Sequence, residues 1–137
     1  MQDHYSFSDL EFEEQFATCS FPPEVFIHEA HLRLAWIHIE KYGLQQAEKN
    51  IVNQLQGYVK YLGAVDKFNM TLTVAAIKAV YHFKVKSKST TFKDFIAEFP
   101  RLKSNFKQLM ACHYRVDIYQ SKKARKKFLA PDLLPFK

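Results

Sequence analysis

Hydrophobic residues dominate one stretch in the first third of the chain, Phe21 to Gly43, which reads FPPEVFIHEAHLRLAWIHIEKYG. Pro22 and Pro23 suit the first turn of a helix, because proline lacks the backbone N–H that an interior position needs. Gly43 can adopt the positive φ that ends a helix. The pattern therefore predicts a central helix of about 19 residues between the prolines and Gly43.

A helical projection of this stretch places its charged side chains opposite its histidines. Glu29, Arg33 and Glu40 fall within a narrow arc, which we interpret as the solvent-facing stripe. Apolar positions occupy most of the remaining surface, so the helix should be buried on nearly all sides. The side opposite the charged arc is therefore predicted to face inward. It carries His28, His31, Ala35, His38 and Tyr42.

Helical periodicity recurs along the rest of the chain. Ser8 and Glu11 form a capping-box pattern that opens a short helix before the central one. Apolar residues at spacings of three and four predict a second long helix over Leu44–Leu62. Further helices are predicted from Met70 to about Val85, from Thr91 to Pro100, from Leu102 to about Tyr114, and after Ser121.

The predicted fold class is all-α. Three glycines and five prolines among 137 residues argue against a many-turned all-β fold. The elements combine into a single-domain helical bundle over residues 1–137, with short peripheral helices. Residues 129–137, LAPDLLPFK, contain two prolines and are predicted to form an extended C-terminal strap. Leu133, Leu134 and Phe136 should hold this strap through their burial.

The sequence predicts a cytoplasmic location. It has no stretch apolar enough to span a membrane, and the segment at its start is acidic, so we expect no signal peptide. Cys19 and Cys112 stand outside any C-x-x-C motif, which indicates reduced thiols. The pattern does not indicate an oligomeric state.

Charge is distributed unevenly. Residues 1–83 carry six basic and ten acidic side chains, net −4, whereas residues 84–137 carry fourteen basic and four acidic ones, net +10. This asymmetry raises the alternative hypothesis of an interaction protein that uses its basic C-terminal third to bind an acidic partner or nucleic acid. The densest basic run is Lys122 to Lys127. No helix-turn-helix, zinc-finger or ribonucleoprotein motif accompanies it, so nucleic acid is the less favoured partner and a solvated face is the simpler interpretation.

The histidines of the central helix are the main candidates for a binding site. His28 and His31 are about one helical turn apart, so their imidazoles can share one centre. With a third ligand they could hold a transition metal, and alone they could orient a small molecule inside apolar walls that include Trp36. The alternative is structural, with each imidazole bonded to hydroxyls or carbonyls of neighbouring helices. His38 lies two turns beyond His31 and should not share their centre.

A further polar group for this site is predicted to come from the helix that begins near Met70, which offers Asn69, Thr71, Thr73 and His82, or from the segment around His113. Known catalytic motifs do not identify a reaction. H-E-x-x-H is excluded, because the two histidines are three residues apart and Glu29 falls on the charged arc. The glutamate–histidine pairs of di-iron bundles and the glycine-rich loops that hold phosphates are also missing. Enzymatic activity is therefore left open.

Three short motifs resemble those of a group of small bacterial helical proteins. They are H-x-x-H-L-x-x-A-W at His28–Trp36, T-x-T at Thr71–Thr73, and S-x-x-A-R-x-x-F-x-x-P-D-L at Ser121–Leu133. The resemblance covers most of the chain between Phe26 and Leu133. It implies a helical fold and a place to look for a site, because the group has no settled activity.

One departure from the pattern of this group affects the predicted site. The group reads Y-H before its T-x-T, whereas this chain has Phe68-Asn69. If that histidine is a metal ligand in the group, an amide takes its place here. The resemblance also points to Arg125, which either pairs with Asp132 to hold the strap or binds an anionic ligand.

Overall fold

The all-α class is confirmed. The computed structural model describes residues 3–136, in which the regular elements are all helices, eight α-helices and three short 3₁₀ helices. The chain forms two compact units, Met1–Phe68 and Asn69–Lys137. A single domain over residues 1–137 stays a prediction. In the described part of the chain, no helix is both long enough and apolar enough to cross a membrane.

The first unit is built from three α-helices: α1 (Asp9–Ala17), α2 (His28–Tyr42) and α3 (Leu44–Tyr61). The predicted capping box is present, because Ser8 Oγ accepts a hydrogen bond from the Glu11 backbone N–H at 3.1 Å and Glu11 Oε1 accepts one from the Ser8 N–H at 2.8 Å. Gly43, with φ of 82°, ends α2. Helices α2 and α3 then pack against each other, and α1 packs on both.

The start of the central helix differs from the prediction. The prolines lead into a 3₁₀ turn at Pro23–Val25, and α2 begins only at His28, so it has 15 residues. Phe26 interrupts the helix with φ of −84° and ψ of 63°. Its ring joins an aromatic cluster, with centroids 4.9 Å from Phe16 and 5.4 Å from Tyr58. The helix therefore starts later than predicted, after this packed ring, and His28 is the first residue of α2.

The predicted solvent stripe is wrong for Glu29 and Arg33, which are buried, and correct for Glu40, which is exposed. The segment before α1 covers the two buried charges. His4 Nε2 donates to Glu29 Oε1 at 2.7 Å, and His4 Nδ1 accepts from Arg33 Nη1 at 3.3 Å. Helical projection cannot reveal this cover, because it comes from residues more than twenty positions away. We call this set of contacts the Arg33 network.

Arg33 also binds the backbone of the covering segment. Its guanidinium donates to the carbonyl oxygen of His4, to that of Phe7 at 2.8 Å, and to Asp9 Oδ1 at 2.9 Å. The carbon of the guanidinium lies 5.1 Å from the centre of the Phe12 ring. Arginine can donate to two carbonyls and a carboxylate at once, because its guanidinium is a planar fork of donors. The ammonium group of lysine has no such fork.

The second unit contains the remaining helices: α4 (Met70–Lys84), α5 (Phe92–Glu98), α6 (Arg101–Ser104), α7 (Phe106–His113) and α8 (Lys122–Lys126). Helix α8 packs on α4. The single helix predicted from Leu102 to about Tyr114 is wrong, because Asn105, with φ of −132° and ψ of 30°, separates α6 from α7. Ser104 Oγ donates to the Pro100 carbonyl at 2.9 Å, a local bond that competes with helix continuation.

The strap is present but is anchored differently from the prediction. Leu133 and Leu134 are 44% and 57% exposed, so their burial does not hold it. The Leu133 N–H instead donates to the His113 carbonyl at 3.0 Å, and His113 Nδ1 donates to the Leu134 carbonyl at 2.7 Å. Phe136, which is half-buried, stacks on the His113 ring at 4.1 Å. Hydrogen bonds and one stacked ring, rather than burial of the leucines, therefore position the strap.

Candidate functional site

His28 and His31 both lie on the first turn of α2 and are exposed. The prediction that the histidine-bearing side of the central helix faces inward is therefore wrong for these two residues, and also for Tyr42, which is exposed. It is correct for His38, which is completely buried. The helical projection assumed equal burial along the whole helix. Helix α2 starts at His28, however, and its first turn is more exposed to solvent than residues 32–39, which are buried. The two candidate ligands are thus neighbours on an accessible surface of the first unit.

The orientation of the His31 ring is fixed by two contacts. Its Nδ1 lies 2.9 Å from the Ile27 carbonyl oxygen, and its ring stacks on Phe26 with centroids 3.8 Å apart. Because a carbonyl can only accept, Nδ1 must carry the proton, and Nε2 then keeps its lone pair. Within residues 3–136, Nε2 has no hydrogen-bond partner.

His31 is also held in its neutral form. Desolvation by the surrounding protein, followed by the nearby His28, lowers the pKa of the His31 imidazole to about 4, although part of the side chain remains exposed. The hydrogen bond to Ile27 acts in the opposite direction and does not offset these effects. A neutral imidazole with one nitrogen fixed by a carbonyl is the arrangement that metal-binding histidines use.

His38 occupies a different environment near the end of α2. Its Nδ1 lies 3.4 Å from Asn50 Nδ2, its ring centroid lies 5.4 Å from that of Tyr42, and its buried Nε2 has no hydrogen-bond partner among the described residues. Desolvation lowers the pKa of His38, and Lys41 lowers it further, while Glu13 acts in the opposite direction. The contacts of His38 are therefore different from those of His31, and the two residues do not share a site.

We expect His38→Leu to change how stability depends on pH. The folded protein binds fewer protons than the unfolded chain below the ordinary histidine pKa of 6.5, since the pKa of His38 is lowered. Stability must therefore rise with pH in that range. The leucine variant should be within about 1 kcal/mol of the parent near pH 7 and gain relative stability near pH 5, in urea unfolding. Identical pH dependence in both proteins would contradict this expectation.

The three candidates at the start of α4 have structural partners in the second unit. Asn69 caps α4 by accepting from the Leu72 N–H at 3.0 Å, and it donates to the Ile118 carbonyl at 2.8 Å. Thr73 Oγ1 donates to the Asn69 carbonyl at 2.7 Å. These contacts explain why the residues are polar without a ligand, and a ligand-binding role for them stays a prediction.

Thr71 joins α4 to the segment after α8. Its hydroxyl is completely buried, donates to the Lys127 carbonyl at 2.8 Å and accepts from the Leu129 N–H at 3.0 Å. The hydroxyl thereby satisfies two backbone groups at the start of the strap. No local pattern predicts this role, because the two partners lie more than fifty residues away along the chain.

Two further predicted site residues also have defined surroundings. Trp36 is buried in α2, and its role as an apolar wall of the site stays a prediction. Arg125 Nη2 donates to the Tyr119 carbonyl at 3.1 Å, whereas Asp132 Oδ1 accepts from the Arg115 backbone N–H at 3.0 Å. These bonds give Asp132 a different partner from the one predicted. Binding of an anion by Arg125 stays a prediction.

The second unit has a strongly basic surface around α8. It carries fifteen basic and four acidic side chains, net +11, against five basic and ten acidic ones, net −5, in the first unit. Lys122, Lys123, Lys126 and Lys127 are exposed. None of these four forms an ion pair within residues 3–136. Their charge is therefore available to a partner.

The structure brings His28 and His31 together but groups no third ligand with them. Among the described residues, no group of three or more His, Cys, Asp or Glu side chains could hold a metal ion. Comparison of the chain with protein-family profiles, curated proteins and solved structures finds no match. The resemblance to the bacterial group stays a prediction, so function has to be argued from the chemistry of the side chains.

Proposed function

We propose that the chain binds a small molecule or a transition-metal ion through His28 and His31, on the exposed first turn of α2. The observation that carries this proposal is the fixed tautomer of His31, whose Nδ1 is bonded to the Ile27 carbonyl at 2.9 Å. That bond leaves the lone pair of Nε2 available to a ligand. The location proposed for this activity is the cytoplasm.

A metal ion is the form of the proposal that is simplest to test. Residues three apart on a helix are neighbours, so the two imidazoles can approach one ion. Zn²⁺, Cu²⁺ and Ni²⁺ accept neutral imidazole readily. Water or an added ligand would occupy the other coordination positions, as in metal sites that remain open for chemistry. A small molecule would instead donate a hydrogen bond to His31 Nε2.

We expect calorimetric titration with Zn²⁺ or Ni²⁺ to detect one site per chain. Replacing either histidine with alanine should weaken binding by at least about tenfold, since each substitution removes one of two protein ligands. Histidine NMR signals of the parent should shift at His28 and His31 and not at His38. The fold should survive both changes, because both side chains are exposed.

The matched control is His82→Ala, which removes a half-buried histidine of α4 whose Nε2 lies 3.1 Å from Lys86 Nζ. It should bind the metal like the parent. Equal binding by the parent and by a variant that lacks both His28 and His31 would overturn the metal form. Screening small molecules with the same two NMR signals then tests the other form.

A second candidate function is binding of an acidic partner through the basic C-terminal third. The specific observation that favours it is the set of exposed lysines on and after α8, which form no ion pair within residues 3–136. Exposed lysines attract a polyanion through their charge, and the release of its counterions then favours binding.

A further inference from the structure

We propose that the basic surface around α8 binds single-stranded nucleic acid through its phosphates. This inference rests on the second proposed function and names the class of its partner. The α8 surface is defined by six lysines and two aromatic residues. They are Lys78, Lys107, Lys122, Lys123, Lys126, Lys127, Tyr119 and Phe128.

Contacts within the second unit connect α8 with the residues around it. Arg125 of α8 donates to the Tyr119 carbonyl at 3.1 Å, and Lys107 Nζ lies 5.1 Å from the centre of the Tyr119 ring. Lys78 Nζ lies 5.8 Å from the centre of the ring of Phe128, which follows α8. Two ammonium groups thus extend the charge of α8 over a surface wider than the helix itself.

The side chains on this surface favour a phosphate backbone over an acidic protein. Protein interfaces depend on buried aromatic, apolar or arginine anchors, and lysine is depleted from them. The exposed positions of α8 are lysines, and its one fully buried residue, Ala124, faces the protein. Mobile ammonium groups at the ends of long side chains suit phosphates that are spaced along a flexible strand.

The aromatic residues favour a single strand over a duplex. Tyr119 and Phe128 are half-buried and stand beside the lysines. Proteins that bind single strands combine a basic surface with aromatic side chains on which unpaired bases stack. Reading a duplex would call for a longer element in the major groove, and α8 has five residues.

The test is a fluorescence anisotropy titration of the full chain with a labelled single-stranded RNA or DNA of about 20 nucleotides and mixed sequence. Four glutamine substitutions, at Lys122, Lys123, Lys126 and Lys127, should weaken binding by at least about tenfold. They should also reduce the slope of log affinity against log salt by about 3, since each phosphate contact on a single strand contributes about 0.7.

The control replaces the four lysines of the first unit with glutamine, at Lys41, Lys49, Lys60 and Lys67, and so removes the same net charge. It should bind almost like the parent, and circular dichroism should show that both variants remain folded. Equal losses in the two variants would overturn the assignment to the α8 surface, because they would indicate a response to net charge alone.

Unlabelled competitors distinguish binding of single-stranded nucleic acid from general binding of acidic partners. An unlabelled duplex of the same length should compete more weakly than the single strand, and polyglutamate more weakly still. If polyglutamate competes as well as the single strand, the nucleic-acid inference fails and binding of acidic partners stands. If the duplex binds as tightly, the preference for single strands fails. If no polyanion binds, both proposals fail.

Discussion

Replacing Arg33 with methionine is expected to lower the free energy of unfolding by about 3–5 kcal/mol, the range for removing one partner from a buried charged network. Arg33 is 4% exposed and donates to the backbone carbonyls of His4 and Phe7 and to Asp9. Methionine fills part of the volume but donates no hydrogen bond. Two buried carbonyls would lose their donor, and His4 Nδ1 would lose the arginine that it accepts from.

The matched control is Lys41→Met, on the same helix. Lys41 Nζ lies 2.9 Å from Glu13 Oε1, but its side chain is 49% exposed, so water can replace the pair. Its loss of stability should be much smaller. Arg33→Lys should resemble Arg33→Met, because an ammonium group cannot reproduce the fork. Urea unfolding measures all three, and similar values for Arg33→Met and Lys41→Met would contradict the importance of the network.

Local sequence signals predicted most of the helices. The Ser8 capping box, Gly43 and the caps at Thr91 and Ser121 each act within a few residues, and each is found where the sequence placed it. The two wrong boundaries, at Phe26 and Asn105, depend on contacts that periodicity does not contain. Phe26 packs in an aromatic cluster, and Asn105 follows Ser104, whose hydroxyl donates to the Pro100 carbonyl.

The candidate site was predicted in part. The spacing of three residues predicted that His28 and His31 are neighbours on one helix, and both lie on the first turn of α2. Their exposure could not be predicted, because it depends on where α2 begins. The burial of Glu29 and Arg33 had no local signal, since Glu40 on the same helix is also charged and is exposed. Their cover comes from His4 and its neighbours, and such long-range partners follow only from the tertiary fold.

Thr71→Val is expected to lower the free energy of unfolding by about 2–3 kcal/mol, because the change is nearly isosteric but leaves two backbone groups without a partner. The hydroxyl donates to the Lys127 carbonyl and accepts from the Leu129 N–H, and the residue is completely buried. The strap begins at this point. Its release should also speed tryptic cleavage next to Lys126 and Lys127, which are exposed.

Thr73→Val is the control within the same T-x-T motif. Among residues 3–136, the Thr73 hydroxyl bonds only to the Asn69 carbonyl four residues earlier, a local bond that adds little to a helix. The variant should differ from the parent by less than about 0.5 kcal/mol and should be cleaved at the parental rate. Urea unfolding and limited proteolysis provide the two measurements. Equal effects of the two substitutions would show that the hydroxyl of Thr71 does not hold the strap on α4, since of these two threonines Thr71 is the one that bonds to the distant segment.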